Sequence, residues 1–154
     1  MREHLFRGKP KKGYNFFSKI WTECCKDGFV YGSLVVSDNK YYICVSAMCN
    51  INTEINNGTT SMIEVIPESI GEFTGLTDKK GMKIFEGDIL ERKCKQLFNH
   101  SQKMIVKFIP VKSCFAAVDV GGGNVTFICD YINNKYELEV IGNTTDNPEL
   151  LEVK

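Results

Sequence analysis

The sequence predicts a mainly β protein, and three observations carry that expectation. Short runs of β-branched and aromatic residues recur along the chain, polar turn residues separate them at short intervals, and apolar residues at helical spacing are scarce. Strands of this number and spacing build a small barrel or a sandwich. The 154 residues suffice for one domain over 1–154, read here as an N-terminal β lobe over 1–66, with an insertion at 14–25, and a barrel-like core over 67–154.

In chain order, the first regular element expected is a short helix from Asn15 to Cys25, where Phe16, Phe17, Ile20, Trp21 and Cys24 follow a 3-4 spacing. Phe29 to Val36 and Tyr41 to Val45 read as two strands joined by the four-residue loop Ser37-Asp38-Asn39-Lys40. Ile51 to Ile55 and Ser61 to Ile66 flank Asn57-Gly58, the strongest short-range reversal in the chain, and Pro67 ends the second of these strands or leaves it at an edge. Further on, Ile89 to Leu97 and Met104 to Ile109 are strands linked by Asn99-His100-Ser101-Gln102. Cys114 to Val120 and Val125 to Tyr131 flank the Gly121-Gly122-Gly123-Asn124 reversal, and Tyr136 to Ile141 follows a turn at Asn133-Asn134. Asn147-Pro148 has the chemistry of a cap followed by a first-turn proline, which predicts a short helical turn over Pro148 to Val153.

The most informative stretch is Ile66 to Leu90, IPESIGEFTGLTDKKGMKIFEGDIL. Phe73 and Leu76 precede the polar turn Thr77-Asp78-Lys79-Lys80-Gly81, and Ile84 and Phe85 follow it, so the chain leaves an apolar surface and returns to it as a hairpin. Asp78 suits the start of such a turn because its side chain accepts from backbone amides ahead of it, and Gly81 suits the left-handed position that closes it. Glu86-Gly87-Asp88 makes a second abrupt reversal, with Gly87 able to take a positive φ before Ile89 resumes a strand. Tight Gly-Asp-apolar turns entering a strand recur in small SH3-like barrels, where reversals must be sharp to close the sheet.

Gly71-Glu72-Phe73-Thr74-Gly75-Leu76, Asp78-Lys79-Lys80-Gly81 and Ile84-Phe85-Glu86-Gly87-Asp88-Ile89 together closely resemble the core signature of the YopX family, small proteins encoded mainly by bacteriophages and prophages of Gram-positive bacteria. Flanking segments agree with it. Phe6-Arg7-Gly8-Lys9 and Gly28-Phe29-Val30-Tyr31-Gly32-Ser33-Leu34 resemble the family's opening, and Glu139-Val140-Ile141-Gly142-Asn143 with Asn147-Pro148-Glu149-Leu150-Leu151 resembles its close. The resemblance spans the chain and departs from the family pattern between Lys9 and Asp27, where the insertion Tyr14 to Cys25 is long, and in the Ala47 to Ser61 connection. It implies a mostly β architecture related to SH3-type barrels and no established activity. On this reading Gly71, Phe73, Gly75, Asp78, Gly81, Phe85, Gly87 and Asp88 form a structural motif.

Composition narrows the functional classes. A hydrophobic share of 43% and a charged share of 25% are ordinary for a globular protein, and nineteen basic residues balance nineteen acidic ones, which argues against a globally basic nucleic-acid binder. Seven cysteines, an odd number without a CxxC pair, read as reduced, mostly buried thiols. The opening residues lack the apolar core of an export signal and no apolar run approaches a membrane span, so the expected location is the cytoplasm of a bacterial host. The Asn-x-Ser/Thr matches at Asn57, Asn99, Asn124 and Asn143 then carry no meaning as glycosylation sites.

Each chemical candidate stands beside a structural reading of the same residues. The glycine run at 121–123 lacks the Lys-Ser/Thr of a phosphate loop and precedes a strand, so it reads as a hairpin tip. Cys44 and Cys49 with Cys24, Cys25 or His100 supply zinc-ligand chemistry but match no common spacing, and no cofactor or metal is expected. Neither His4 nor His100 has a neighbour that would activate it. Glu86 and Asp88 are adjacent carboxylates of the kind acid-base catalysis uses, yet beside a glycine turn they serve as acceptors for backbone amides. Arg2, Arg7, Lys9, Lys11, Lys12 and Lys19 lie among Phe6, Tyr14, Phe16 and Phe17, a combination suited to a nucleic-acid strand and equally to a solvated sheet edge.

The preferred functional expectation is a non-enzymatic phage accessory protein that binds a host or phage protein through the rim or an edge of its barrel, with self-association open to it. A nucleic-acid-binding module using the Arg7 to Lys19 segment is the alternative. A hydrolase using Glu86, Asp88 or Asp119 ranks last, because no nucleophile, base and orienting group occur together.

Overall fold

A computed structural model describes residues 3–12, 25–47, 59–94, 101–121, 123–133 and 136–152. The chain falls into two compact units, Glu3–Glu72 and Phe73–Lys154. Both are antiparallel β structures.

In the N-terminal unit, β1 (Phe6–Gly8), β3 (Phe29–Ser37), β4 (Lys40–Ala47) and β5 (Thr59–Glu64) lie in the order β5-β4-β3-β1, and the two-residue β2 (Cys25–Lys26) also pairs with β3. Val30, Ile43, Val45, Ile63 and Val65 form its core, with Phe6, Leu34 and Ile70 packed against it. The link between β3 and β4 is tighter than a four-residue loop. Ser37 pairs with Lys40, leaving Asp38 and Asn39 at φ 49° and 60°, the two left-handed positions that match the twist of a hairpin. Gly32 sits where the strands nearly touch, since a Cβ there would stand 2.0 Å from the carbonyl oxygen of Cys44. β5 stops at Glu64, Val65 bridges to Pro10, and Pro67 opens a 3-10 turn, Pro67–Ser69, at a position where its missing N–H costs nothing.

The next strand, β6 (Gly71–Thr77), carries the chain into the C-terminal unit. Glu72 and Gly71 pair with Phe6 and Arg7, and the remainder forms a hairpin with β7 (Lys83–Phe85). β8 (Asp88–Cys94), β9 (Ser101–Ile109), β10 (Cys114–Asp119), β11 (Val125–Phe127) and β12 (Tyr136–Asn143) follow, in the sheet order β11-β10-β9-β8-β12. Ile84, Leu90, Met104, Val106, Ala117, Ile128 and Leu138 make up the core, with Leu76, Phe115 and Val140 against it.

Several sequence expectations change here. The stretch Val125 to Tyr131 is a strand only to Phe127; Ile128–Asn133 is a short helix, α1, so Asn133 ends a helix rather than starting a turn. The reason is burial: Ile128 is buried while Cys129 and Asp130 are both exposed, which breaks the alternation a strand needs, and Asp130 complements the helix N-terminus. Ser101 and Gln102 belong to β9 and not to the preceding connection. The terminal turn is a 3-10 helix, Pro148–Leu151, without a side-chain cap, because the Asn147 Oδ1 instead accepts from the Asn143 amide at 3.3 Å. Cys25 opens β2; the rest of the helix expected over Asn15 to Cys25, the strand Ile51 to Ile55 and the Asn57-Gly58 reversal lie outside the described residues. Among the described residues the pairings leave open sheets and no closed barrel.

Candidate functional site

The two signature turns are built from carboxylates that face backbone amides. In the β6–β7 hairpin the rings of Phe73 and Phe85 are cross-strand partners with centroids 5.5 Å apart, and Lys83 Nζ lies 4.7 Å from the Phe73 centroid. Gly75 and Gly81 have φ of 87° and 81°, the left-handed region that disfavours any side chain. Asp78 organises the tip: its Oδ1 accepts from the Lys80 amide at 2.7 Å and the Met82 amide at 2.9 Å, and its own amide donates to the Met82 carbonyl at 2.8 Å.

The second turn, Glu86-Gly87-Asp88, joins four parts of the unit. Asp88 Oδ2 accepts from the Phe85 amide at 2.8 Å, and Glu86 Oε1 accepts from the Phe108 amide of β9 at 3.0 Å. Gly87, at φ 81°, donates to the Val106 carbonyl at 2.9 Å and accepts from the Thr144 amide at 2.9 Å. Catalytic carboxylates need access to a substrate; Asp88 is 1% exposed and Asp78 is 7% exposed. Asp119 lies apart, accepting from Gln102 Nε2 at 2.5 Å and from the Gly121 amide at 3.4 Å. The Asp119 amide donates to the Asn124 carbonyl at 3.0 Å, which closes the β10–β11 hairpin across the glycine run.

The tip of the first hairpin also rests on the outer edge of β12. The Lys79 amide donates to the Leu138 carbonyl at 3.0 Å, and the Val140 amide donates to Asp78 Oδ2 at 3.1 Å. Above these contacts Lys79 Nζ reaches Glu137 at 3.4 Å and Glu139 at 2.9 Å, and Lys80 pairs with Glu139 as well. The two ammonium groups, that of Lys80 first, hold the Glu139 carboxyl down to about 2, and the hydrogen bond to Glu139 raises the Lys79 ammonium. Sequence reasoning missed Lys79, Lys80, Glu137 and Glu139 as a group. The available signal was the Glu-x-Glu alternation on a predicted strand, which puts two carboxylates on one face, together with two adjacent lysines in a turn.

The basic N-terminal segment is not one exposed surface. The Arg7 side chain is buried, its guanidinium carbon 4.8 Å from the Phe29 ring centroid, and Lys9 Nζ is 5.0 Å from the same centroid. Lys11 pairs with Glu64 at 2.5 Å, which raises the lysine and lowers the carboxylate. Lys12 is exposed, Phe6 packs on the core, and Arg2, Tyr14, Phe16, Phe17 and Lys19 lie outside the described residues. The expectation of mostly buried cysteines does not hold among the described residues, where Cys25, Cys44 and Cys114 are half-buried and Cys129 is exposed; of the zinc candidates, Cys24, Cys49 and His100 lie outside the described residues. Among the described residues no group of His, Cys, Asp and Glu side chains is placed to hold a metal ion, and no helix is long and apolar enough to cross a membrane.

Comparison with curated proteins finds no match. The family model described as YopX protein matches residues 21–152, a span that includes both signature turns, the β12 edge on which the first of them rests and the Pro148 turn. With most of its length matched, this chain belongs to the YopX family.

Proposed function

We propose that the chain is a phage or prophage accessory protein of the bacterial cytoplasm, acting as a non-enzymatic protein-binding module through the rim of an SH3-like C-terminal unit. One observation carries the reading: the β9–β10 hairpin ends in large apolar side chains left in solvent, with Val111 92% exposed and Phe108 39% exposed. Apolar side chains exposed together at a rim support a surface that another protein covers. The SH3-like assignment draws support from connectivity, a four-strand meander β8 to β11 whose fifth strand, β12, returns through a short helix to the other side of β8. The burial of Arg7 and the pairing of Lys11 weaken the nucleic-acid alternative at the N-terminus.

The test is affinity capture of the tagged protein from host lysate, with and without nuclease, beside a Val111→Asp variant. A protein retained after nuclease and lost from the variant supports the proposal. Capture that disappears with nuclease overturns it in favour of nucleic acid, and recovery only of further copies of the chain overturns it in favour of self-association.

A further inference from the structure

An outer sheet edge offers backbone groups to any extended chain that reaches it, and proteins cover such edges to prevent unwanted pairing. At β12 the cover is specific. The acceptor at Leu138 and the donor at Val140 are met by the Lys79 amide and the Asp78 carboxylate, one donor and one acceptor, as an added strand would meet them. The turn that supplies them is self-contained, since Asp78 Oδ1 and the Gly81 amide close it without help from β12. It leans on the edge without being threaded through the sheet.

The side chains above the edge define what else can lie there. Glu137 and Glu139 share one face of β12, and Glu139 stands directly opposite Glu91 of β8, a like-charge pair that is unfavourable unless cations intervene. Lys93 takes Glu91 at 3.0 Å, while Lys79 and Lys80 take Glu137 and Glu139. The intramolecular occupant thus displays the chemistry the edge accepts: one donor and one acceptor for the strand backbone, flanked by two ammonium groups. A second copy of β12 would bring its own Glu137 and Glu139 against these and is disfavoured.

We propose that the Asp78-Lys79-Lys80 turn is an autoinhibitory guard on a strand-addition site, and that the β12 edge beneath it receives an extended, lysine-bearing segment of a partner protein. The segment replaces the two backbone contacts and both ammonium groups, and the guard swings aside on its own closed turn. This rests on the β12 edge alone and is independent of the Val111 rim.

The test uses the full chain and a short acetylated peptide of alternating lysine and valine as the probe. The double variant Lys79→Ala/Lys80→Ala removes the competing ammonium groups while Asp78 still closes the turn, and a thermal melt checks that it folds. Where the double variant does not fold, Lys80→Ala alone takes its place. Weakening the guard, which then holds the edge by the Lys79 amide and Asp78 alone, should tighten peptide binding about tenfold relative to the unaltered chain, with NMR shifts centred on the Leu138 and Val140 amides. Glu137→Lys/Glu139→Lys should abolish it. Equal affinity for both proteins, shifts centred elsewhere, equal binding of a glutamate-valine peptide, or self-association of the double variant in sedimentation would each overturn the proposal. Val111→Asp leaves peptide binding unchanged, so failure of the rim reading and failure of this one are separable.

Discussion

The carboxylate of Asp88 accepts a hydrogen bond from the amide of Phe85 at 2.8 Å while only 1% of the residue remains exposed. An amide at that depth has no water to turn to. Asp88→Ala should therefore cost about 1–3 kcal/mol in urea unfolding, the desolvation penalty of an orphaned buried donor. Asp88→Asn keeps an acceptor oxygen and should lose less; equal losses would show that charge matters more than the hydrogen bond.

Gly87 holds φ 81°, and a Cβ there would stand 3.3 Å from the Thr144 hydroxyl oxygen. A β-branched side chain adds steric crowding to backbone strain, so Gly87→Val should cost about 1 kcal/mol or more. An unchanged melting temperature would refute the need for a left-handed residue at this turn.

Two glycines of the family segments separate the causes of glycine dependence. At Gly32 a Cβ would meet the Cys44 carbonyl oxygen at 2.0 Å, a clash with backbone that cannot be relieved by a rotamer change. Gly32→Ala should cost about 3 kcal/mol or more. At Gly75 φ is 87° but nothing lies within 4 Å of the added carbon, so Gly75→Ala should lose only about 1–2 kcal/mol, the left-handed penalty alone. Parallel thermal melts of the two variants decide the order.

Glu139 has its carboxyl lowered to about 2 from an ordinary 4.5 by Lys80 and Lys79. A group whose folded pKa is depressed contributes stability that is complete above its unfolded value and fades as pH falls through the folded one. The contribution should thus be intact above 4.5 and disappear on acidification toward 2. NMR titration of the Glu139 carboxyl should show the low midpoint, and Lys79→Ala/Lys80→Ala should return it toward the ordinary value. Added salt should weaken the effect, because these pairs meet solvent.

The β character and most strand centres were legible because period-2 alternation and turn chemistry are local properties of the sequence. Gly81 and Gly87 stood out for the same reason, since each follows or lies within a short polar turn. The end of β11 was not legible: Thr126-Phe127-Ile128 is a strand-like run, and only the burial of Ile128 beside exposed Cys129 and Asp130 turns the chain into α1. Nor was the placement of Lys79 and Lys80 on Glu137 and Glu139, which depends on a contact far apart in sequence. The inward placement of Arg7 was not legible for a related reason, because a cation on a strand can point inward to an aromatic ring as easily as outward.

The peptide unit at Gly87 closes loops of very different length. The bond beside it, from the Phe85 amide to Asp88, is local; the bond of the Gly87 amide to Val106 crosses the β8–β9 connection, and that of the Gly87 carbonyl to Thr144 needs the whole unit up to the end of β12. Closing the longest loop costs the most chain entropy and is worthwhile only once the intervening strands are in place. The Thr144 amide is therefore a one-site clock for completed folding: its hydrogen exchange should slow last during refolding and should report opening of the β12 end before the Phe85 amide does.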